Sequence, residues 1–544
     1  MIKREFASLL VVAVLAACGH ITDTRMPNPQ TVSVLTQHND NTRAGWNDNE
    51  TVLTTSNVNQ QQFGLLFNLV VDDEVYAQPL VLGNVAIGSE HRNVVYVATV
   101  NNTLYAFDGD DGRLYWSKNF TASGMRPPRN TDMTGACGGN YTNFSGNMGI
   151  VGTPVIDAAS QTIYFVTRSM SGSVFVQDLH AVNMLGGNDV AGSPVRITAT
   201  YAGNGDGSVA NVITFDAQKQ NQRQGLTLAN GMVYVTFSSH CDWGPYHGWI
   251  MGYDAATLQR RIVYNNTPNG YAAGMWESGM GMAADAAGNL YVVTGNGTVG
   301  DSGDPTILTN RGESALKLTP SGATLQVASY FTPFNYQNLN DFDVDYGTMG
   351  SFLIPNSNYF LTGGKDGTLY LVDRDNMGGW TSGANQIQQA VPLNPNANMH
   401  CQAAYFGGAA KEFIYVWSEN DPLRAIPFNR ATNMLDRSGE IDNSTAGPTA
   451  QSGAVLSVSS NGTQDGTGIV WASYAITGDA ESFVRPGILR AFDASDVTKE
   501  LWNNHQNFSR DGAGMYAKFS PPTIANGHVY LPTFSNKVAV YGLR

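Results

Sequence analysis

Short runs of aliphatic and aromatic residues recur down the chain in pairs, each pair split by a variable loop and closed by a small or charged residue and a turn. The pairs are NVVYVATV with TLYAFDGDDG (93–112), TIYFVTR with DLHAVNM (162–184), MVYVTFSS with WIMGYDAAT (232–257) and LYVVTGNG with SALKLTPSG (290–322). They return as YFLTGGKD with TLYLVDRDN (359–376), FIYVWSEN with LRAIPFNRA (413–431), GIVWASY with ILRAFDAS (468–495) and HVYLPTF with KVAVYGLR (528–544). Eight repeats of strand pairs with turn signals between them predict a radial propeller, because one four-stranded blade cannot bury both its faces alone.

The stretch from Phe63 to Arg544 leaves about 60 residues per copy, enough for four short strands and long loops. The last copy stops at its third strand, so the N-terminal run FGLLFNLVV (63–71) is expected to supply the fourth and close the ring. The fold class is therefore all-β, an eight-bladed β-propeller over 63–544 closed by its N-terminal strand. Stacking of like units lets a chain of this length form one domain. With 14% charged residues and 59 glycines, the composition suits an all-β protein with tight turns.

The first residues stand apart from the repeat. MIKREFASLLVVAVLAAC has a basic start, an apolar stretch from Ala7 to Ala17, and Leu15-Ala16-Ala17-Cys18, which resembles a bacterial lipoprotein signal (1–17). Cys18 then becomes the lipidated terminus, and 18–60 reads as that anchor and a tether, with Pro27 and Pro29 in its first part. The alternative is a simple secretory signal cut nearby. Gly19 in place of an acidic residue implies, by that resemblance, an outer-membrane lipoprotein.

A formal net charge of −14 argues against nucleic acid as a partner. Cys137, Cys241 and Cys401 remain after processing, which allows one disulfide with one thiol left over, and spacing does not say which. No CxxC, CxxCH or HExxH is present.

Four segments then carry candidate chemistry. SHCDWGPYHGWIMGYDA (239–255), NLYVVTGNG (289–297), DFDVDYG (341–347) and GGKDGTLYLVDRDN (363–376) are similar, in order and at about one blade's spacing, to segments of the dehydrogenases that carry pyrroloquinoline quinone (PQQ) on an eight-bladed propeller. That resemblance implies an alcohol or sugar oxidoreductase using PQQ and Ca²⁺. It places Asp242, Asn296 and Asp343 as metal ligands, Asp343 or alternatively Asp345 as catalytic base, and Lys365 as the cation facing the quinone. Carboxylate and amide oxygens from adjacent blades are the hard ligands Ca²⁺ requires.

The chain also departs from the family. The vicinal Cys-Cys disulfide over the quinone is absent, GACGGN (135–140) holding Cys137 alone, and the Arg-Gly that follows it corresponds at best to Met148-Gly149. The stacking Trp is out of register, Trp276 in GMWESGMGMAAD being the nearest.

Other polar residues have structural readings. Trp116 is expected to pack between blades, Asp254, Asp373 and Asp493 to bond turn backbone, and His180 to sit in an interface. Arg223 and Gln78 fall in inner-strand patterns. His240, Tyr246, His247 and His400 form an alternative polar rim.

Three functions follow: a PQQ/Ca²⁺ oxidoreductase in the cell envelope, a cofactor-free lipoprotein scaffold with a protein partner there, and a propeller lyase or hydrolase of polysaccharide with a His and a Tyr as base and acid. Three converging oxygen ligands favour the first, and a His–Tyr pair facing a groove favours the last.

Overall fold

Each sequence repeat is the second and third strand of a four-stranded antiparallel blade in the computed structural model, which describes residues 31–544. Blade 1 runs Leu80–Ile87, Glu90–Ala98, Thr103–Asp108 and Leu114–Asn119 from the axis outward, and the same order recurs in seven further blades. The innermost strands of blades 2 to 7 are Val155–Asp157, Thr227–Ala229, Ala283–Ala284, Ser351–Leu353, Ala404–Gly407 and Val455–Ser459. A two-stranded ribbon, Thr200–Ala202 with Val212–Thr214, is added outside blade 3. Among the described residues no helix is long and apolar enough to cross a membrane.

Blade 8 is built from both ends of the chain. Thr523–Ala525, His528–Pro532 and Lys537–Leu543 supply three strands, and Phe63–Val70 pairs antiparallel with the last of them as the outermost. Phe63 is fully buried against Trp471, Trp502 and Tyr541, so the closing strand is held by side chains of blade 7 as well as by its own ladder. The cores lie between blades, as the repeat requires: Val94, Tyr96 and Ala106 of blade 1 pack with Ile163, Phe165 and Val182 of blade 2. Trp116 joins that contact, its indole donating to Met184 O at 3.1 Å, and His180 stacks on Phe165 at 5.1 Å.

Residues 31–60, expected as part of a tether, are instead packed in the ring, and this corrects the boundary at 60. From Val32 to Glu50 the chain follows the inner edges of the blades in order. Val34 exchanges two backbone bonds with Val81 of blade 1, and Leu35 O accepts from Ile156 of blade 2. Thr36 donates to Leu226 O beside blade 3, and Asn41, Thr42 and Ala44 accept from Ala284, Leu353 and Tyr405 of blades 4, 5 and 6. Trp46–Asn47 then pairs parallel with Val455–Ser459 of blade 7, and Asn47 donates to Ile524 O of blade 8. An innermost strand has one edge turned to the axis with unpaired N–H and C=O groups; this strap satisfies some of them in every blade. The lipoprotein signal and Cys18 lie outside the described residues.

Candidate functional site

The loops that lead into innermost strands and those joining second to third strands share one rim, and the three long ones, 121–149, 238–248 and 295–313, meet there. A disulfide links the first two: Cys137 and Cys241 are bonded, with Cα atoms 5.4 Å apart and a sequence separation of 104. The pairing that spacing left open is thus fixed. Cys401 is buried and free, and burial pushes its thiol up to about 12. Where related dehydrogenases were expected to differ by a vicinal disulfide, this chain has a long-range one whose Cys241 end lines the central cavity, while Cys137 packs behind it.

That cavity, about 480 Å³, is lined by Cys241, Asp242, Trp276, Asp343, Asp345, Lys365 and His400 among others. A narrower slot continues from it between Trp276, Phe519, Tyr141 and Phe144. Trp276 reaches the wall although it lies early in the sequence register, because the turn Glu277-Ser278-Gly279 carries positive φ at all three residues and sends the chain sharply into blade 4. Arg223 lies over Phe519 at 4.6 Å and Trp276 at 5.5 Å and donates twice to Trp276 O, at 3.2 and 3.1 Å. Sequence reasoning placed Arg223 only on an inner-strand pattern; the aromatic partners that fix it come from blades distant in sequence. Lys518 and Glu481 are further wall residues that no motif announced.

Asp242, Asn296 and Asp343 come together around an adjoining recess of about 350 Å³, from loops of blades 3 and 4 and the connection into blade 5. Tyr246 donates to Asp242 Oδ1 at 2.5 Å, and the Asn296 amide donates to Asp343 Oδ1 at 2.7 Å. The opposite face of that amide, Asn296 Oδ1, is buried without a hydrogen-bond partner. Lys365 Nζ bridges Asp343 at 2.9 Å and Asp345 at 2.6 Å, and Asp345 also accepts the Asn296 backbone N–H at 2.8 Å. Burial opposes the charge on Lys365, but the carboxylates of Asp345 and Asp343 outweigh it and hold the ammonium above its ordinary value. Asp242 lines the recess and keeps an exposed edge; desolvation by the surrounding protein, with Asp345 and Asp343 nearby, pushes its carboxyl up to about 6.

These oxygens suit a hard cation. Among the described residues no group of three or more His, Cys, Asp or Glu side chains forms a metal shell alone, so a shell here needs the orphaned Asn296 oxygen and donors from outside the protein. An unpaired buried amide oxygen costs about 1–3 kcal/mol, which a cation at that point offsets.

The alternative polar rim divides. His247 has both nitrogens engaged, with Thr267 Oγ1 at 2.9 Å and Asp206 O at 2.8 Å. Tyr246 is committed to Asp242. His240 is fully buried with Nδ1 on the Tyr141 hydroxyl at 2.7 Å, and burial holds its pKa well below the ordinary value. Of this His–Tyr pair only Tyr141 reaches the slot, and His240 lies behind it. His400 opens on the cavity, and its Nδ1 is 2.7 Å from Glu419 Oε1.

A family model described as the outer membrane protein assembly factor BamB matches residues 73–151, which span blade 1 and the loop into blade 2. A europium-containing methanol dehydrogenase superposes with a TM-score of 0.60 at 12% identity, covering 94% of this chain and 98% of that one. A quinohemoprotein alcohol dehydrogenase from Pseudomonas putida HK5 gives 0.54 at 12% identity, covering 94% and 80%. BamB from Moraxella catarrhalis gives 0.47 at 11%, covering 88% and 97%. No curated protein matches in sequence.

Proposed function

We propose that this chain, a propeller of the PQQ type, is a quinone-dependent oxidoreductase of the cell envelope, anchored through Cys18, that oxidises an alcohol or a sugar hydroxyl. The observation that carries the reading is one cavity that joins an aromatic wall, a disulfide wall and a set of hard oxygens. Trp276 offers its ring face for stacking, and the Cys137–Cys241 bond covers the loop side. Asp242, Asn296 and Asp343 hold the cation, Ca²⁺ by the resemblance in sequence; a trivalent ion such as the europium named for the methanol dehydrogenase also suits so acidic a set. A bound quinone would supply the two-electron acceptor, and a cation held by Asp242, Asn296 and Asp343 would supply Lewis-acid polarisation to it. Lys365 balances negative charge that develops on the acceptor oxygen, and Arg223 meets a carboxylate where the family's Arg is missing.

Titration of the mature protein with PQQ, with and without Ca²⁺, followed by Trp fluorescence and by dye-linked oxidation, tests this. Saturable Ca²⁺-dependent quenching is expected, weakened at least tenfold in Asn296→Ala because one ligand is lost. No saturation at micromolar PQQ retires the reading. In that event the match of residues 73–151 to an assembly factor favours a second one, an envelope scaffold, for which co-purification with outer-membrane proteins is the measurement.

A further inference from the structure

A base must take the hydroxyl proton when an alcohol is oxidised, and the two carboxylates expected for that role are both engaged. Asp345 accepts from Lys365 and from the Asn296 backbone, and Asp343 from Lys365 and the Asn296 side chain. A hydroxyl that approached either one would compete with the Lys365 ammonium and an Asn296 N–H for the same carboxylate. His400, on another wall of the same cavity, is in the opposite condition. It lies just before the innermost strand of blade 6 and is 6% exposed. Its carbonyl accepts from Ser278 Oγ at 2.8 Å, so its backbone is fixed to the turn that carries Trp276. Its Nδ1 is bonded to Glu419, which is itself buried, and its Nε2, which makes no hydrogen bond among the described residues, opens on the cavity.

An imidazole that donates from Nδ1 to a carboxylate carries its lone pair on Nε2, and the carboxylate then stabilises the imidazolium. The charged groups around His400 are Glu419 behind it, Glu481 on the neighbouring wall, and Arg223, Lys365, Asp345, Asp343 and Asp242 on the rest of the cavity. Burial raises the Glu481 carboxyl, but Lys518, Arg223, the ring of His400 whenever it is protonated, and the hydrogen bond from Asn143 outweigh it and hold it low.

We propose that His400, with Glu419 as its positioning residue, is the general base of this cavity. The substrate O–H bond breaks, its electron pair stays on oxygen, and the proton goes to Nε2. The carbon-bound hydrogen leaves with two electrons as hydride to the quinone acceptor. This rests on the oxidoreductase reading.

The test uses the full mature chain labelled with ¹⁵N-histidine; nine histidines make assignment by His400→Gln practicable. At neutral pH the His400 signal is expected to report a protonated Nδ1 and a free Nε2, and Glu419→Gln to move its titration toward lower pH. A protonated Nε2, or no movement in Glu419→Gln, overturns the proposal. In protein loaded with PQQ and Ca²⁺, the rate of quinone reduction by alcohol is expected to fall on the acid side as His400 protonates. His400→Gln is expected to lose that limb and about 10²–10⁴-fold in rate with fluorescence-measured PQQ binding unchanged. A wild-type rate and profile in His400→Gln sinks this proposal alone; no PQQ binding by the wild type sinks the oxidoreductase reading and this one with it.

Discussion

Glu277 shows how far a single side chain can be pushed by its surroundings. It is fully buried one residue from Trp276, its Oε1 accepts from Val293 N at 3.2 Å and Ser351 Oγ at 3.3 Å, and its Oε2 has no partner. Burial raises its carboxyl from 4.5 to about 8, against the weaker pull of those donors and of Arg43. The folded state therefore binds a proton that the unfolded state has released, and stability from this group falls as pH rises from about 4.5 to about 8. Glu277→Gln keeps the shape without the ionisation. Its melting temperature is expected to match the wild type near pH 5 and to exceed it near pH 9, by an amount corresponding to roughly 3–5 kcal/mol. Thermal melts across that range decide it; parallel curves for the two proteins would show that Glu277 does not titrate in the folded state.

At the scale of elements, the closing strand Phe63–Val70 has the clearest energetic signature. Phe63 packs on two tryptophans and a tyrosine, with ring centroids 4.9 Å from Trp502 and 5.5 Å from Trp471. Truncation to Ala removes that area and leaves a cavity, so Phe63→Ala is expected to cost about 3–5 kcal/mol in urea unfolding; a loss below 1 kcal/mol would mean the ring does not depend on this clasp. The strand was legible because the eighth repeat stops one strand short, and blades were legible because their second and third strands are long and apolar. The innermost strands are mostly two to five residues and carry little pattern, and the strap is polar: Gln37, His38, Asn41, Thr42 and Arg43 read as linker. Its bonds run to backbone edges, which write nothing into its sequence. Likewise Asp242, Asn296, Asp343 and Lys365 stood out because they sit beside strands of the repeat. Arg223, Glu419, Glu481 and Lys518 gain their setting from neighbours in other blades, a relation no local motif encodes.

On the scale of the whole molecule, the strap ties together units that would otherwise touch only their neighbours. Arg43 is its centre: wholly buried, it donates to Thr36 Oγ1, Gln37 O, Leu226 O, Thr227 Oγ1 and Met282 O, at 2.6 to 3.1 Å. Arg43→Met keeps much of the volume and removes those five hydrogen bonds, although Leu226 O and Met282 O keep a donor in Thr36 and Thr227. It is expected to lower stability by about 3–5 kcal/mol and to split one cooperative unfolding transition into two, which calorimetry can resolve; a single transition of unchanged midpoint would show the blades cohere without it.

The same strap changes what the ring is. Eight inner edges ordinarily frame a pipe, but here Gln37, Arg43 and Gln402 fill the axis beside the strap with at most 1% of their surface exposed. What remains is a well. A molecule that enters past Trp276 finds no passage along the axis, so it leaves by the rim from which it came. In the oxidoreductase proposed above, a bulky product would therefore slow turnover by delaying its successor, however fast the chemistry.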